Sequence, residues 1–220
     1  MARNTGDSAL NAARRQRELT RLGDGEPIDV LVIGGGITGA GVALDAAARG
    51  LRTVLAEKHD FAFGTSRWSS KLVHGGLRYL ASGGVGIAHE SAVERDILLT
   101  RTAPHLTRAL PQVVPLLPNI GAAQKVLVRA GFLAGDVLRR TAGTPASVLP
   151  RSRRVAAAEA LRLAPTVRRA RLRGGLLAWD GQLVDDARLV VGIARTAARE
   201  GASVLTRVEA TNVTGTSATL

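Results

Sequence analysis

From Ile28 to Ile33 the chain is almost unbroken in β-branched and aliphatic side chains, with Asp29 the one polar position. A strand covered on both faces reads this way, whereas a strand with one wet face alternates. Thr38 to Arg49 is Ala-rich with helical spacing, and Gly50 follows as a helix stop. Arg52 to Glu57 is a second apolar run that ends in an acid. Together they predict a strand–helix–strand unit with parallel strands. Much later, Asp185 is placed to cap a helix from Asp186 to Glu200, Gly201 ends it, and Ser203–Val208 predicts a third parallel strand.

The remaining segments are less regular. Residues 58–89 are rich in Gly and Ser and predict loops and tight turns. Residues 90–102 and 122–140 carry helical patterns, the first stopping near Pro104. Pro111 and Pro115 confine any strand over Ala109–Leu117 to an edge or an irregular course. Thr141–Pro150 reads as a turn-rich linker, Ser152 as the cap of a helix reaching Leu163, and Leu176–Trp179 as a short strand. At the start, Asp7 or Ser8 is expected to cap a helix to about Leu22, an arm without chemistry, mobile or docked on the surface, that residues 23–27 break.

The run Gly34-Gly35-Gly36-Ile37-Thr38-Gly39 fits G-x-G-x-x-G between the first strand and its helix. Glu57 lies 57 − 39 = 18 residues beyond Gly39, at the end of the next strand. That context makes the run a dinucleotide-binding fingerprint. Gly34 permits the tight turn, Gly36 lets a pyrophosphate approach the backbone, and Gly39 lets helix and strand pack closely. The phosphates would meet unpaired N–H groups at the helix N-terminus. Glu57, with Lys58 beside it, would hold the adenosine ribose; a carboxylate there disfavours a 2′-phosphate and hence NADP. FAD and NAD both use this fingerprint, so the motif does not choose between them.

Composition narrows the chemistry. Of 220 residues 45% are hydrophobic, enough for a core. The absence of Cys excludes disulfides, thiolate metal sites and cysteine nucleophiles. The four His lack a tight ligand spacing, so no metal site is expected. Net charge is +12, and three Lys leave 30 − 3 = 27 Arg. Residues 151–173 hold eight Arg against Glu159, a balance of 8 − 1 = +7. The first reading of that run is a solvated basic face, with anionic lipid or phosphate as the functional alternative. Aromatics are 3% and none interleave it, which argues against nucleic acid. No apolar stretch is long enough to span a bilayer, and residues 1–26 are too charged for a targeting core. A soluble or peripheral protein of the cytoplasm is expected.

The segment Gly64-Thr65-Ser66-Arg67-Trp68-Ser69-Ser70-Lys71-Leu72-Val73-His74-Gly75-Gly76-Leu77-Arg78-Tyr79-Leu80 resembles the FAD-dependent glycerol-3-phosphate dehydrogenases, the respiratory flavoenzymes. The stretch from Asp29 through the glycine run is similar to the same family, as are Arg95–Leu106 and Trp179–Leu189. The resemblance implies FAD as cofactor and oxidation of sn-glycerol 3-phosphate to dihydroxyacetone phosphate. Hydride would pass to the flavin and electrons to a membrane quinone. It implies that Thr65, Ser66, Ser69, Ser70 and Lys71 line the FAD, that Arg78 faces the substrate, and that Val208 offers its backbone to the adenine edge. It also implies peripheral contact with the inner face of the cell membrane; a homodimer stays open.

Each residue keeps a plainer alternative. Ser69 and Ser70 would only cap a turn, Lys71 would be a surface charge, and Arg78 would pair with Glu94 or Asp96. Asp186 and Arg188 would fix their helix to the domain, and His74 is not taken as the base. The same glycine turn serves amino-acid and amine oxidases, and a non-catalytic basic binding module is the rival outside enzymes.

The predicted fold is therefore α/β. A Rossmann-like FAD-binding βαβ unit with a parallel sheet is interrupted by a long, mostly helical and loop insertion. Members of the family are much longer, so the resemblance implies a chain incomplete at its C-terminus, with the base and further arginines beyond it. The expected division is an arm (1–27), the βαβ unit with its flavin-lining loop (28–80), an insertion belonging to the cap (81–183), and a returning helix and third strand (184–220).

Overall fold

The structure, a computed structural model, describes residues 7–220. Along the chain, α1 (Ala12–Gly23), β1 (Val30–Ile33), α2 (Ile37–Ala48) and β2 (Thr53–Glu57) precede a 3₁₀ turn, Thr65–Arg67. Next come β3 (Leu72–Val73), α3 (Leu77–Ala81) and α4 (Val85–Ile97), the last running into a π-helical turn at Leu98–Thr102. β4 (Thr107–Pro115), α5 (Ala122–Thr141), β5 (Arg153–Val155), α6 (Ala157–Leu163) and β6 (Gly175–Leu183) lead to α7 (Asp186–Arg199) and β7 (Ser203–Thr206). The chain forms two compact units, one of residues up to Ser70 with Asp185–Leu220, the other Lys71–Val184. Lys71–Leu80, expected with the βαβ unit, thus cluster with the insertion, because β3 pairs with β6.

The first unit is built on a parallel sheet in the order β1-β2-β7. β2 lies in the middle and is buried from Thr53 to Ala56, which is why its sequence does not alternate. On one face Val32, Leu55 and Val204 pack with Ala43 and Ala47 of α2 and Ala194, Ala197 and Ala198 of α7. Alanine on both helices lets their backbones approach the sheet and each other. On the other face Val54, Ala56, Leu205 and Val208 meet Leu19 and Leu22 of α1.

The expected arm is thus a layer of this unit. Its anchor is Glu18, buried, accepting from Val204 N–H at 3.1 Å and Arg14 Nε at 2.6 Å. Burial raises the Glu18 pKa, with Arg14 pulling the other way. Asn11, not Asp7 or Ser8, caps α1, its side chain accepting from Arg14 N–H. Asp7 accepts from Ala9 N–H instead, before the helix begins.

The second unit carries an antiparallel sheet with β6 at its centre. β4 pairs with β6 along its whole length, while β3 and β5 pair with residues 181–182 and 175–177 of β6. Among the described residues β4 pairs with β6 alone, so the missing N–H groups of Pro111 and Pro115 are tolerated at this edge. β6 extends past the predicted Leu176–Trp179 because Asp180-Gly181, a turn-like dipeptide, is held extended between β3 and β4. Gly181 is required there: a Cβ would stand 2.7 Å from the Val73 carbonyl oxygen. Ser152 does not cap a helix. Its N–H and Oγ bond to Asp136, β5 begins at the next residue, and α6 starts after Ala156 without a side-chain cap. Among the described residues no helix is long and apolar enough to cross a membrane.

Candidate functional site

The glycine run closes a tight turn between β1 and α2 in the first unit. Gly34 takes φ +109°, open only to glycine without strain, and its N–H bonds to Ala56 of β2. A Cβ on Gly39 would lie 1.9 Å from the Gly34 carbonyl oxygen and 3.4 Å from Val32 Cγ1. Helix and strand therefore meet at backbone contact, as its motif position requires. At Gly36 a Cβ would stand 3.3 Å from Ser66 Oγ. Gly35 has a reason of its own: its Cα packs on Glu57, whose Cβ would be 2.9 Å from an added methyl.

α2 begins here without a side-chain cap from its N-cap Gly36 and without an acid in its first turn. Ile37 N–H donates to Ser66 Oγ at 3.0 Å. Among the described residues the N–H groups of Gly36, Thr38 and Gly39 have no acceptor. A bare helix N-terminus with converging amide donors and no Cβ in the way is suited to a diphosphate. The residues present fit a dinucleotide in both shape and charge.

Glu57, at the end of the central strand, faces this turn. Its Oε2 accepts from Gly35 N–H and its Oε1 from His59 N–H, each at 2.7 Å. The carboxylate is held between two amides, and each oxygen keeps a lone pair for a ribose hydroxyl. Val208, buried beside it, spends its N–H on the Glu57 carbonyl at 3.0 Å. Of the backbone groups expected at the adenine edge, the carbonyl is therefore the one left. Lys58 stands 3.7 Å from Glu209, both exposed.

The loop after β2 brings further predicted residues to this unit. His59 stacks on Phe63 at 4.1 Å, and the Arg67 guanidinium lies over Phe63 and Trp68 at 4.3 and 4.9 Å. Thr65 opens the 3₁₀ turn, and its carbonyl accepts from Trp68 N–H. Ser69 Oγ donates to buried Asp186 at 2.7 Å, so Asp186 ties the loop to α7 while Asp185 caps that helix through Arg188 N–H. Ser70 closes the first of the unit's two chain stretches. Asp186 was expected to fix its helix to the domain, and the group it meets is Ser69, which nothing in the spacing names, 117 positions away.

Lys71 and Arg78 belong to the second unit. Lys71 takes φ +57°, and its carbonyl accepts from Leu183 N–H. Arg78 lies on α3, exposed, and pairs with neither Glu94 nor Asp96. The ion pair of this region belongs to Arg95, whose Nη1 meets Asp180 Oδ1 at 2.7 Å with both side chains mostly buried. Asp180 also accepts from Gly75 N–H at 3.1 Å. A Cβ on Gly75 would fall 2.1 Å from Arg95 Nη1, and one on Gly76 2.7 Å from Ala88 backbone. The paired glycines thus seat the segment before Arg78 against α4. Neither Arg95 nor Asp180 was singled out in the sequence, because the pair is 85 residues apart.

Residues 29–219 match the family model described as FAD dependent oxidoreductase. The chain is 70% identical over 213 residues to glycerol-3-phosphate dehydrogenase 1 of Mycobacterium tuberculosis, an alignment covering 97% of this chain and 41% of that relative. It therefore spans about two fifths of that protein's length. Among solved structures it resembles the FAD complex of a Bacillus halodurans glycerol-3-phosphate dehydrogenase, with TM-score 0.57 and 29% identity over 90% of this chain and 30% of that one. An L-α-glycerophosphate oxidase from Mycoplasma pneumoniae shares the fold at TM-score 0.58 and 19% identity, over 84% of this chain and 46% of that one.

Proposed function

The chain belongs to the FAD dependent oxidoreductase family, and on that premise we propose that it is the FAD-binding part of a glycerol-3-phosphate dehydrogenase. The reaction is oxidation of sn-glycerol 3-phosphate to dihydroxyacetone phosphate, with a quinone as final electron acceptor at a membrane surface. The observation that carries the reading is the turn at Gly34–Gly39, where unpaired amides at the N-terminus of α2 sit beside the fixed Glu57 carboxylate. The names of the similar proteins supply the substrate.

In this reading Gly36, Thr38 and Gly39 give N–H groups to the diphosphate, and Glu57 accepts from the ribose. Thr65, Ser66, Ser69, Ser70 and Lys71 border the cofactor, and the Val208 carbonyl meets the adenine edge. Ser66 leaves Ile37 N–H to the diphosphate when the cofactor binds. FAD supplies acceptance of a hydride. Exposed Arg78, which has no ion pair among the described residues, offers a planar fork for the substrate phosphate or hydroxyl oxygen. The residue that removes the hydroxyl proton lies outside this set.

The test is titration with FAD, followed by anaerobic addition of substrate. The reading expects a flavin spectrum shifted on binding, and bleaching near 450 nm, the usual flavin band, with glycerol 3-phosphate but not with amino acids. Absence of FAD binding overturns the cofactor assignment. Bleaching by amino acids alone moves the chain to the amino-acid oxidase alternative.

A further inference from the structure

Between α4, α5 and β6, within the second unit, lies a cavity of about 40 Å³. Arg95 of α4, Asp136 and Arg139 of α5, and Asp180 of β6 border it, with Gly75 and Leu77 at the entry to α3. Both arginines are buried, Arg95 being 5% exposed and Arg139 7%. A guanidinium does not shed its proton, so each brings a full positive charge out of water. Arg95 is answered by Asp180, whose Oδ1 accepts from its Nη1 at 2.7 Å and from Gly75 and Gly181 N–H at 3.1 and 2.9 Å. Arg139 has no such answer. Its Nη1 donates to the Thr144 carbonyl at 2.6 Å, and among the described residues no carboxylate lies within ion-pair distance of it. The Nε–H groups of both arginines are buried without an acceptor. Orphaned donors are rare in folded proteins, and a buried charge without a counter-charge is costlier still.

The carboxylates that border the cavity are already engaged. Asp136 accepts from Ser152 N–H at 3.1 Å and from its Oγ–H at 2.6 Å, and Ser152 Oγ accepts in turn from Arg129 Nη1 at 3.0 Å. Three guanidinium groups, of Arg95, Arg129 and Arg139, thus meet two carboxylates, a local balance of 3 − 2 = +1. Asp96 is also buried on α4, but it does not border the cavity and pairs with neither buried arginine.

We infer that this cavity binds one small monovalent anion of the halide class. The guest has to accept hydrogen bonds, because the free groups around it are N–H donors. It has to carry charge, because water would satisfy those donors and still leave Arg139 uncompensated. Size decides the rest. About 10–15 Å³ admits one water-sized atom, so a five-atom phosphate or sulfate would need roughly 50–75 Å³ and does not fit. A halide with a water or two does. Gln112, which also borders the cavity, can turn its amide N–H₂ to the same ion. Bound there, the ion ties α4 and α5 to the Gly75–Leu77 segment that leads into Arg78. Nothing in this inference depends on the cofactor reading.

The test is thermal melting of the 220-residue chain at constant ionic strength, with chloride replaced stepwise by gluconate, which is too large for the cavity. Linkage predicts that each tenfold rise in chloride above its Kd adds roughly 3–5 °C to Tm. Arg139→Gln, which removes the uncompensated charge, should melt alike in both salts. Arg140→Gln, at the exposed neighbouring position, should keep the parent's response. Crystals of the parent grown in bromide give a second reading that needs no variant, an anomalous peak against the Arg95 and Arg139 Nε atoms. Equal melting of the parent in chloride and gluconate overturns the proposal and assigns the cavity to water. So does a chloride response that persists in Arg139→Gln or is lost equally in Arg140→Gln. Bromide found at exposed arginines alone, an adventitious ion only, overturns it as well. The melts are read without flavin or substrate, so their failure and that of the cofactor reading are distinguishable.

Discussion

Gly39 and Gly41 lie two residues apart in α2, yet a methyl group at each should do opposite things. At Gly39 an added Cβ would be 1.9 Å from the Gly34 carbonyl oxygen, more than about 1 Å inside ordinary contact. The obstacle is backbone, so no side chain can swing aside; α2 must move off the turn. Forced overpacking of that kind costs about 1–3 kcal/mol. At Gly41 nothing stands within 4 Å of the added carbon. Replacing a mid-helix glycine with alanine there should stabilise by about 0.5–1 kcal/mol through lost chain entropy in the unfolded state.

For a chain of this size one kcal/mol moves Tm by about 2–4 °C. Gly41→Ala should therefore melt about 1–4 °C above the parent and Gly39→Ala about 2–12 °C below it. Calorimetry on the three proteins reads both signs. Because the displaced turn is also the proposed diphosphate cradle, FAD titration should show Kd raised more than about tenfold in Gly39→Ala and unchanged in Gly41→Ala. A Gly39→Ala protein that melts with or above the parent would refute the close packing of helix and strand, and with it the placement of the turn.

Other perturbations separate structure from chemistry. Asp180→Ala leaves Arg95 buried without its partner and should destabilise by about 3–5 kcal/mol in urea unfolding. Arg78→Ala removes an exposed side chain and should stay within about 0.5 kcal/mol of the parent, while weakening glycerol 3-phosphate reduction of bound FAD. Glu57→Gln puts an N–H₂ where one of two amides now finds an oxygen, and should cost about 1–2 kcal/mol together with FAD affinity, read by melting and titration. Asp29 has its pKa lowered from 3.8 to about 2 by the Arg52 hydrogen bonds. A depressed carboxyl pKa gives stability that is present above the unfolded value and lost as pH falls through the folded one. The Tm difference between the parent and Asp29→Asn should thus be full above pH 3.8 and close as pH falls toward 2.

Much of the first unit was legible because its signals are local. A buried strand announces itself by an unbroken apolar run, a helix N-terminus by its glycines, and the α7 cap by Asp185. The third strand was readable for the same reason. The second unit was less so. β6 runs on through Asp180-Gly181-Gln182, past the predicted end at Trp179, because strands on both sides hold these residues extended. Ser152 looks like a helix cap and is instead the partner of Asp136, a choice between two acceptable local bonds that only packing makes.

The amino-acid order alone determined the parallel strand–helix–strand core, the dinucleotide turn and the acid at its edge. These depend on periodicity, on glycine's missing Cβ and on a short span of chain. The tertiary structure alone decided that α1 covers a sheet face, that Ser69 bonds to Asp186, that Arg95 rather than Arg78 takes the buried ion pair, and that Arg95 and Arg139 border one cavity. Each of those joins residues far apart in the chain. Sequence distance carries no information about them, and burial determines which polar groups must find one another.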